Sequence, residues 1–128
     1  MQLCCNFVTV RTRRWSDPIE PGDGLRVLIC RFRPRALPKS KETWDVWMPD
    51  LGPSRELLAA FQEGKIGWGA YRSGYLAEMK AQAPAIADLG ARVREGGTVT
   101  LLCSKSCDDE KRCHRTPLRT LIEARARR

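Results

Sequence analysis

The chain has 128 residues, 42% of them hydrophobic, and a formal net charge of +8. That length suits one compact unit with a single modest core, so residues 1–128 are read as one domain. No apolar run approaches the roughly 20 residues that a bilayer-spanning helix requires, which excludes a helical membrane protein.

Up to Lys41 nine Lys/Arg stand against three acids, a balance of +6 that leaves +2 for the rest. Charge gathered in this way favours phosphates, nucleic acid or acidic partners. The opening Met1-Gln2-Leu3-Cys4-Cys5-Asn6-Phe7 lacks the basic-then-apolar order of a secretory signal. The cytoplasm is therefore the expected compartment, and the six cysteines are read as reduced thiols rather than three disulfides.

Residues 3–10 are β-prone and predict a first strand, with Arg11 to Trp15 as a basic edge beyond it. The Pro-, Gly- and Asp-rich stretch 16–24 predicts a loop. Arg26-Val27-Leu28-Ile29-Cys30 is a short apolar run after a turn, the pattern of a strand buried on both faces. Pro34, Pro38, Pro49 and Pro53 make the next segment irregular, with a short helix expected over residues 42–48 that carries Trp44 and Trp47 into the core.

Pro53-Ser54-Arg55-Glu56 ahead of Leu57, Leu58 and Phe61 predicts a helix start. Ser54 can cap free N–H groups there, Glu56 lies near the positive end of the helix, and Gly64 ends it. A second helix is expected over residues 68–82, with Tyr71, Tyr75, Leu76 and Met79 at three-and-four spacing as a core stripe. Pro84 in the first turn opens a third, which Gly96-Gly97 ends.

Residues 98–103 read as another buried, parallel-type strand. The last helix is expected over residues 114–126 with Leu118, Leu121 and Ile122 inward, and residues 124–128 are expected to fray. Strands separated by helical segments point to an α/β fold, a small, mainly parallel sheet flanked by helices, because parallel neighbours need long crossovers.

In open α/β sheets ligands bind beyond the carboxyl ends of the strands. Arg31, Arg33 and Arg35 follow the second predicted strand; Lys105, Cys107, Cys113, His114 and Arg115 follow the last, ahead of a helix N-terminus that favours anions. If the two strands run parallel these groups share one rim, where guanidinium groups could grip two phosphate or carboxylate oxygens at once. The plain alternative is solvated loop arginines and a core histidine.

Cys103, Cys107, Cys113 and His114 are also soft metal donors. Their spacing matches no zinc finger or ribbon, and adjacent Cys113 and His114 would point apart on a helix. A Cys-x5-Arg string from Cys113 to Arg119 has the spacing of phosphatase loops, but it lacks glycine, contains Pro117 and starts well past the strand, so it is read as chance. A thiol-dependent enzyme using Cys113 with His114 is the second chemical reading, and metal binding through the four soft donors the third. No cofactor is implied, the oligomeric state is not set, and no helix-turn-helix, finger or RNA-binding motif accompanies the basic segment.

Gly24-x-Arg26-Val27-Leu28-Ile29-x-Arg31-x-x-Pro34-Arg35-x-Leu37, Asp45-x-Trp47, Asp50-Leu51-x-Pro53-Ser54-x-x-Leu57, Phe61, Tyr71-x-x-x-Tyr75 and Val99-Thr100-Leu101-Leu102 together resemble the YeaO-like branch of the family known as domain of unknown function 488. Cys103, a short polar loop and Cys113-His114-Arg115 resemble the Cys-His-Arg signature of the wider family. The resemblance covers most of the chain. It implies a Rossmann-like α/β domain, a three-layer sandwich, with no settled activity, and places Arg31, Pro34, Arg35, Ser54, Cys113, His114 and Arg115 in the characteristic cluster.

The chain departs from the usual Asp-Arg-x-Trp-Pro-Arg-Gly segment, with Cys30 for Asp, Arg33 for Trp and Ala36 for Gly. If the acid of that pattern orients an arginine or acts as a base, this chain has lost it. The combined expectation is a cleft that binds a phosphate-bearing small molecule through Arg31, Arg33, Arg35, Ser54, Cys103 and Arg115, with Cys113 and His114 as the candidate reactive pair.

Overall fold

The computed structural model describes residues 9–104 and 109–127. Four strands, β1 (Val10–Arg14), β2 (Leu25–Leu28), β3 (Val46–Trp47) and β4 (Val99–Cys103), form one all-parallel sheet in the order β1-β4-β2-β3. Every residue of β4 is buried, which an inner strand covered on both faces achieves. Leu25 lies opposite Val99 and Leu28 opposite Leu102, so β2 and β4 open their carboxyl ends on the same edge.

The helices are α1 (Arg55–Gln62), α2 (Trp68–Met79), α3 (Ala83–Arg94) and α4 (Arg115–Ala126). Alternation along the strands sorts side chains between two faces. On one face Val27, Ile29, Val99 and Leu101 share a core with Tyr75 and Met79 of α2, Ile86 and Leu89 of α3, and Leu118 and Ile122 of α4. On the other, Leu28 and Leu102 meet Trp44, with Trp15 and Leu37 packed against them. The sheet is thus covered by helices on one side and by aromatic-bearing loops on the other. Among the described residues no helix is long and apolar enough to cross a membrane.

The first strand runs through the basic residues that were expected to lie beyond it; residues 3–8 of the expected strand lie outside the described residues. What draws Arg11 and Arg13 into the sheet is Asp23, buried and paired with Arg11 at 2.9 Å, Arg13 at 3.5 Å and the buried Arg26. Thr100 Oγ1 donates to the Asp23 carbonyl at 2.7 Å. Burial pushes the Asp23 carboxyl up, but the backbone N–H of Glu20 and the guanidinium groups of Arg11, Arg26 and Arg13 outweigh it and hold the group below its ordinary value.

Arg14 pairs with Asp17, Arg31 with Asp50 and Arg33 with Glu42. Most arginines of the first third are therefore engaged in ion pairs within the fold, and among the described arginines up to Arg35 only Arg35 has no acidic partner.

Residues 42–48 form no helix; they run extended into the two-residue edge strand β3. The Asp45 N–H donates to the Arg26 carbonyl at 2.8 Å and the Met48 N–H to the Leu28 carbonyl at 2.9 Å, while the Asp45 carboxylate accepts the Arg26 N–H at 2.8 Å. The outer edge of β2 has backbone groups that need partners, and this segment supplies them. Trp44 is buried as expected, but Trp47 is 38% exposed, its Nε1–H donating to the Cys30 carbonyl at 2.8 Å.

Ser54 caps α1 as its sequence context predicts, its hydroxyl accepting the Leu57 N–H at 3.2 Å. Its own N–H donates to the Glu78 carboxylate at 2.8 Å, tying α1 to α2. The carboxyl end of α4 does not fray within the described residues. Arg94 donates to the Ala126 carbonyl at 3.3 Å and the Arg125 carbonyl at 2.7 Å, a cation satisfying the last carbonyls of a helix.

Candidate functional site

A cleft of about 740 Å³ opens at the carboxyl ends of β2 and β4. Cys30, Arg31, Phe32 and Arg35 reach it from the segment after β2, Cys103 and Ser104 from the end of β4, Arg112 to His114 from the approach to α4, and Phe61 and Tyr71 from α1 and α2. The parallel pairing of β2 and β4 thus brings Arg31, Arg35, Cys103, Cys113 and His114 to one place, although as many as 83 positions separate them (Arg31 to His114).

The buried part of the cleft is a sulfur–imidazole cluster. The Cys103 and Cys113 sulfurs are 3.3 Å apart, and His114 Nδ1 lies 4.0 Å from the Cys113 sulfur. His114 Nε2 sits 2.8 Å from the Ile29 carbonyl. A carbonyl only accepts, so Nε2 carries a proton, and the neutral ring then has its lone pair on Nδ1, on the sulfur side. Tyr75 packs edge-on against the imidazole, ring centroids 5.4 Å apart, and donates its hydroxyl to the Leu51 carbonyl at 2.6 Å. Burial holds that phenol well above its ordinary range, so it stays a neutral donor.

Cys113 and His114 were expected to diverge on a helix. They converge because Cys113 precedes α4 in extended conformation (φ −127°, ψ 143°) and His114 is its N-cap residue. The donor atoms of Cys103, Cys113 and His114 all lie within 4.8 Å of one another. Cys107 and Lys105, the other predicted members, lie outside the described residues.

The remaining predicted residues divide. Arg31 lines the cleft, but its guanidinium donates to the Pro53 carbonyl at 3.0 Å, the Gly52 carbonyl at 3.1 Å and Asp50 at 3.2 Å, which fastens the turn before α1. Arg33 is not part of the lining. It binds Glu42 at 2.7 Å and the Leu37 carbonyl at 2.9 Å and lies over the Trp44 ring, bracing the loop layer. Ser54 serves α1, and Arg115 is buried as the first residue of α4; neither is part of the lining. Arg35 is exposed at the rim.

Sequence reasoning missed Arg112, although it directly precedes Cys113. It also took Phe61 only as part of a helix-start pattern and Tyr71 only as core. Their rings stack 4.3 Å apart with Trp68 beside both, and they form one wall of the cleft as well. The Ile29 carbonyl that orients His114 had no signal in the sequence, since any residue type supplies it. Ala36 adopts φ 56°, the left-handed region that suits the glycine of the family pattern at this position.

Fold and site together define a small α/β protein with an all-parallel sheet and a thiol–imidazole cleft at the carboxyl ends of its strands. The model of the family described as the active DUF488-N3 subclade matches residues 10–126, and the chain belongs to that family. It is similar to the uncharacterized protein YeaO of Escherichia coli K12, 35% identical over 72 residues, which are 56% of this chain and 63% of YeaO. It is also similar to the uncharacterized proteins Rv3073c of Mycobacterium tuberculosis H37Rv and Mb3100c of Mycobacterium bovis, each 32% identical over 80 residues, 62% of this chain and 67% of theirs. The matched segment thus spans about two thirds of these relatives or less. No solved structure gave a significant match.

Proposed function

We propose that this chain binds a small phosphate-bearing molecule in the cleft. The observation that carries the reading is the charge of the lining, which has Arg31, Arg35 and Arg112 and no Asp or Glu among the described residues. Arg31 is committed to its own turn, so Arg35 and Arg112 supply the charge and the planar donor forks that fit a phosphate. No side-chain hydrogen bond or ion pair engages either guanidinium within the described residues. Trp15, Phe32, Leu58, Phe61 and Tyr71 offer apolar surface to an organic body, and the volume falls in the range of about 300–1,000 Å³ usual for small-molecule sites. The reading places the protein in the cytoplasm, where reducing conditions keep Cys103 and Cys113 as thiols.

Calorimetric titration with adenosine monophosphate and with inorganic phosphate as probes, at low and high salt, tests it. Adenosine monophosphate should bind more tightly than inorganic phosphate, and weaken as salt screens the arginines. Arg35→Ala and Arg112→Ala should each weaken it by about tenfold or more, the scale of a lost charge-assisted hydrogen bond. Absence of binding, or binding indifferent to both substitutions, refutes the reading.

A further inference from the structure

We propose that Cys103, Cys113 and His114 form a zinc site whose fourth coordination position opens into the cleft. The proposal stands apart from the anion reading, because its ligands are not the rim arginines. Three observations carry it: the donor set, its spacing, and the carbonyl that fixes the imidazole.

Two cysteine sulfurs and one imidazole nitrogen are the donor types that select zinc among the common divalent ions, and they form one of the ligand sets of catalytic zinc sites. A tetrahedral ion at about 2.3 Å from each sulfur and about 2.0–2.1 Å from nitrogen sets the sulfurs about 3.8 Å apart and sulfur and nitrogen about 3.6 Å apart. The observed separations are 3.3 Å between the sulfurs and 4.0 Å from the Cys113 sulfur to Nδ1. Loading therefore requires shifts of about half an ångström in these two pairs and of up to about 1.2 Å between the Cys103 sulfur and the imidazole, since all three donors lie within 4.8 Å of one another.

Ligating histidines commonly donate their second ring N–H to a carbonyl or carboxylate, which fixes the tautomer and aims the lone pair. Here the Ile29 carbonyl holds Nε2 at 2.8 Å, which puts the Nδ1 lone pair on the side of the two sulfurs. Charge favours the arrangement too. Two thiolates around a doubly charged cation make a neutral unit, far less costly to bury than isolated thiolates. The three residues are buried, yet all line the cleft, so the position that none of the described residues fills faces a space where water or a ligand can enter.

The test uses the whole chain, reduced and stripped of metal, titrated with Co²⁺ as a spectroscopic probe and then with Zn²⁺. The expected result is one Co²⁺ per chain with thiolate-to-cobalt charge-transfer absorption and tetrahedral visible bands, both abolished when Zn²⁺ displaces the cobalt. Cys103→Ser and Cys113→Ser should each reduce the charge-transfer intensity by about half, one of two thiolates being lost. His114→Gln should weaken binding by at least about tenfold.

Circular dichroism shows whether each variant folds. For any that does not, alkylation of the wild-type chain replaces it: Zn²⁺ should protect Cys103 and Cys113 from iodoacetamide, as mapped by mass spectrometry. A reduced chain that gives no charge-transfer band, a band unchanged in both serine variants, or a Cys113 thiol alkylated equally fast with and without Zn²⁺ overturns the proposal. Adenosine monophosphate binding measured on the same metal-free chain separates this failure from a failure of the anion reading.

Discussion

Replacing Asp23 by alanine removes the acid at the centre of the arginine cluster. Asp23 and Arg26 are each 2% exposed, so the substitution leaves the Arg26 guanidinium buried with only the Thr43 and Asp17 carbonyls as partners. It also strips the Glu20 N–H and the Arg11 and Arg13 guanidinium groups of an acceptor or counter-charge. Breaking a buried pair from one side costs about 3–5 kcal/mol, a large part of the roughly 5–15 kcal/mol that holds a domain of this size together.

Urea unfolding followed by circular dichroism should register that loss, and the thermal midpoint should fall by on the order of 10–20 °C. Adding Arg26→Met to Asp23→Ala should destabilise by less than the sum of the two single changes, because no buried cation is then left without its acid. A loss below about 1 kcal/mol for Asp23→Ala, or strict additivity in the cycle, would refute the view that this acid organises the loop-covered face.

The same carboxyl predicts an acid limb. Because Asp23 is held below its ordinary value, its contribution is complete above that value and disappears as pH falls through the lowered one. Asp23→Asn should therefore flatten the stability profile below about pH 4, measured by urea midpoints across pH. Ala36→Gly should raise stability by about 0.5–1 kcal/mol, since glycine relieves a left-handed backbone at φ 56° at some entropic cost; a lower urea midpoint would contradict it. Ser54→Ala should cost about 1 kcal/mol through the lost cap of α1, read by the same unfolding assay. Leu101→Ala, at a fully buried position of the central strand, should cost about 2–5 kcal/mol and leave a variant that still shows helical circular dichroism.

Most elements were legible because their signals are local. The apolar run from Val99 to Cys103 has no polar side chain to give to solvent except Thr100, which its bond to the Asp23 carbonyl satisfies. Ser54, Pro84 and Gly96 mark helix ends through their own backbone and side-chain chemistry. Residues 42–48 failed because a segment with two tryptophans and no strong pattern takes the structure its neighbour requires, and that neighbour is the open edge of β2. The site was legible as a set of residues rather than as roles. Arg31, Arg33 and Arg35 look alike in sequence, but Asp50, Glu42 and four backbone carbonyls claim the first two and leave the third at the rim.

From the amino-acid order alone came the α/β class, the two buried strands that carry the cleft, the capped start of α1 and the family resemblance, all of which depend on contacts within a few residues or on composition. Tertiary structure alone decided that most N-terminal arginines pair with acids of the same fold and that Cys113 and His114 turn toward Cys103. Both depend on which distant groups come within a few ångströms, and electrostatic and coordination forces act at that range whatever the separation along the chain.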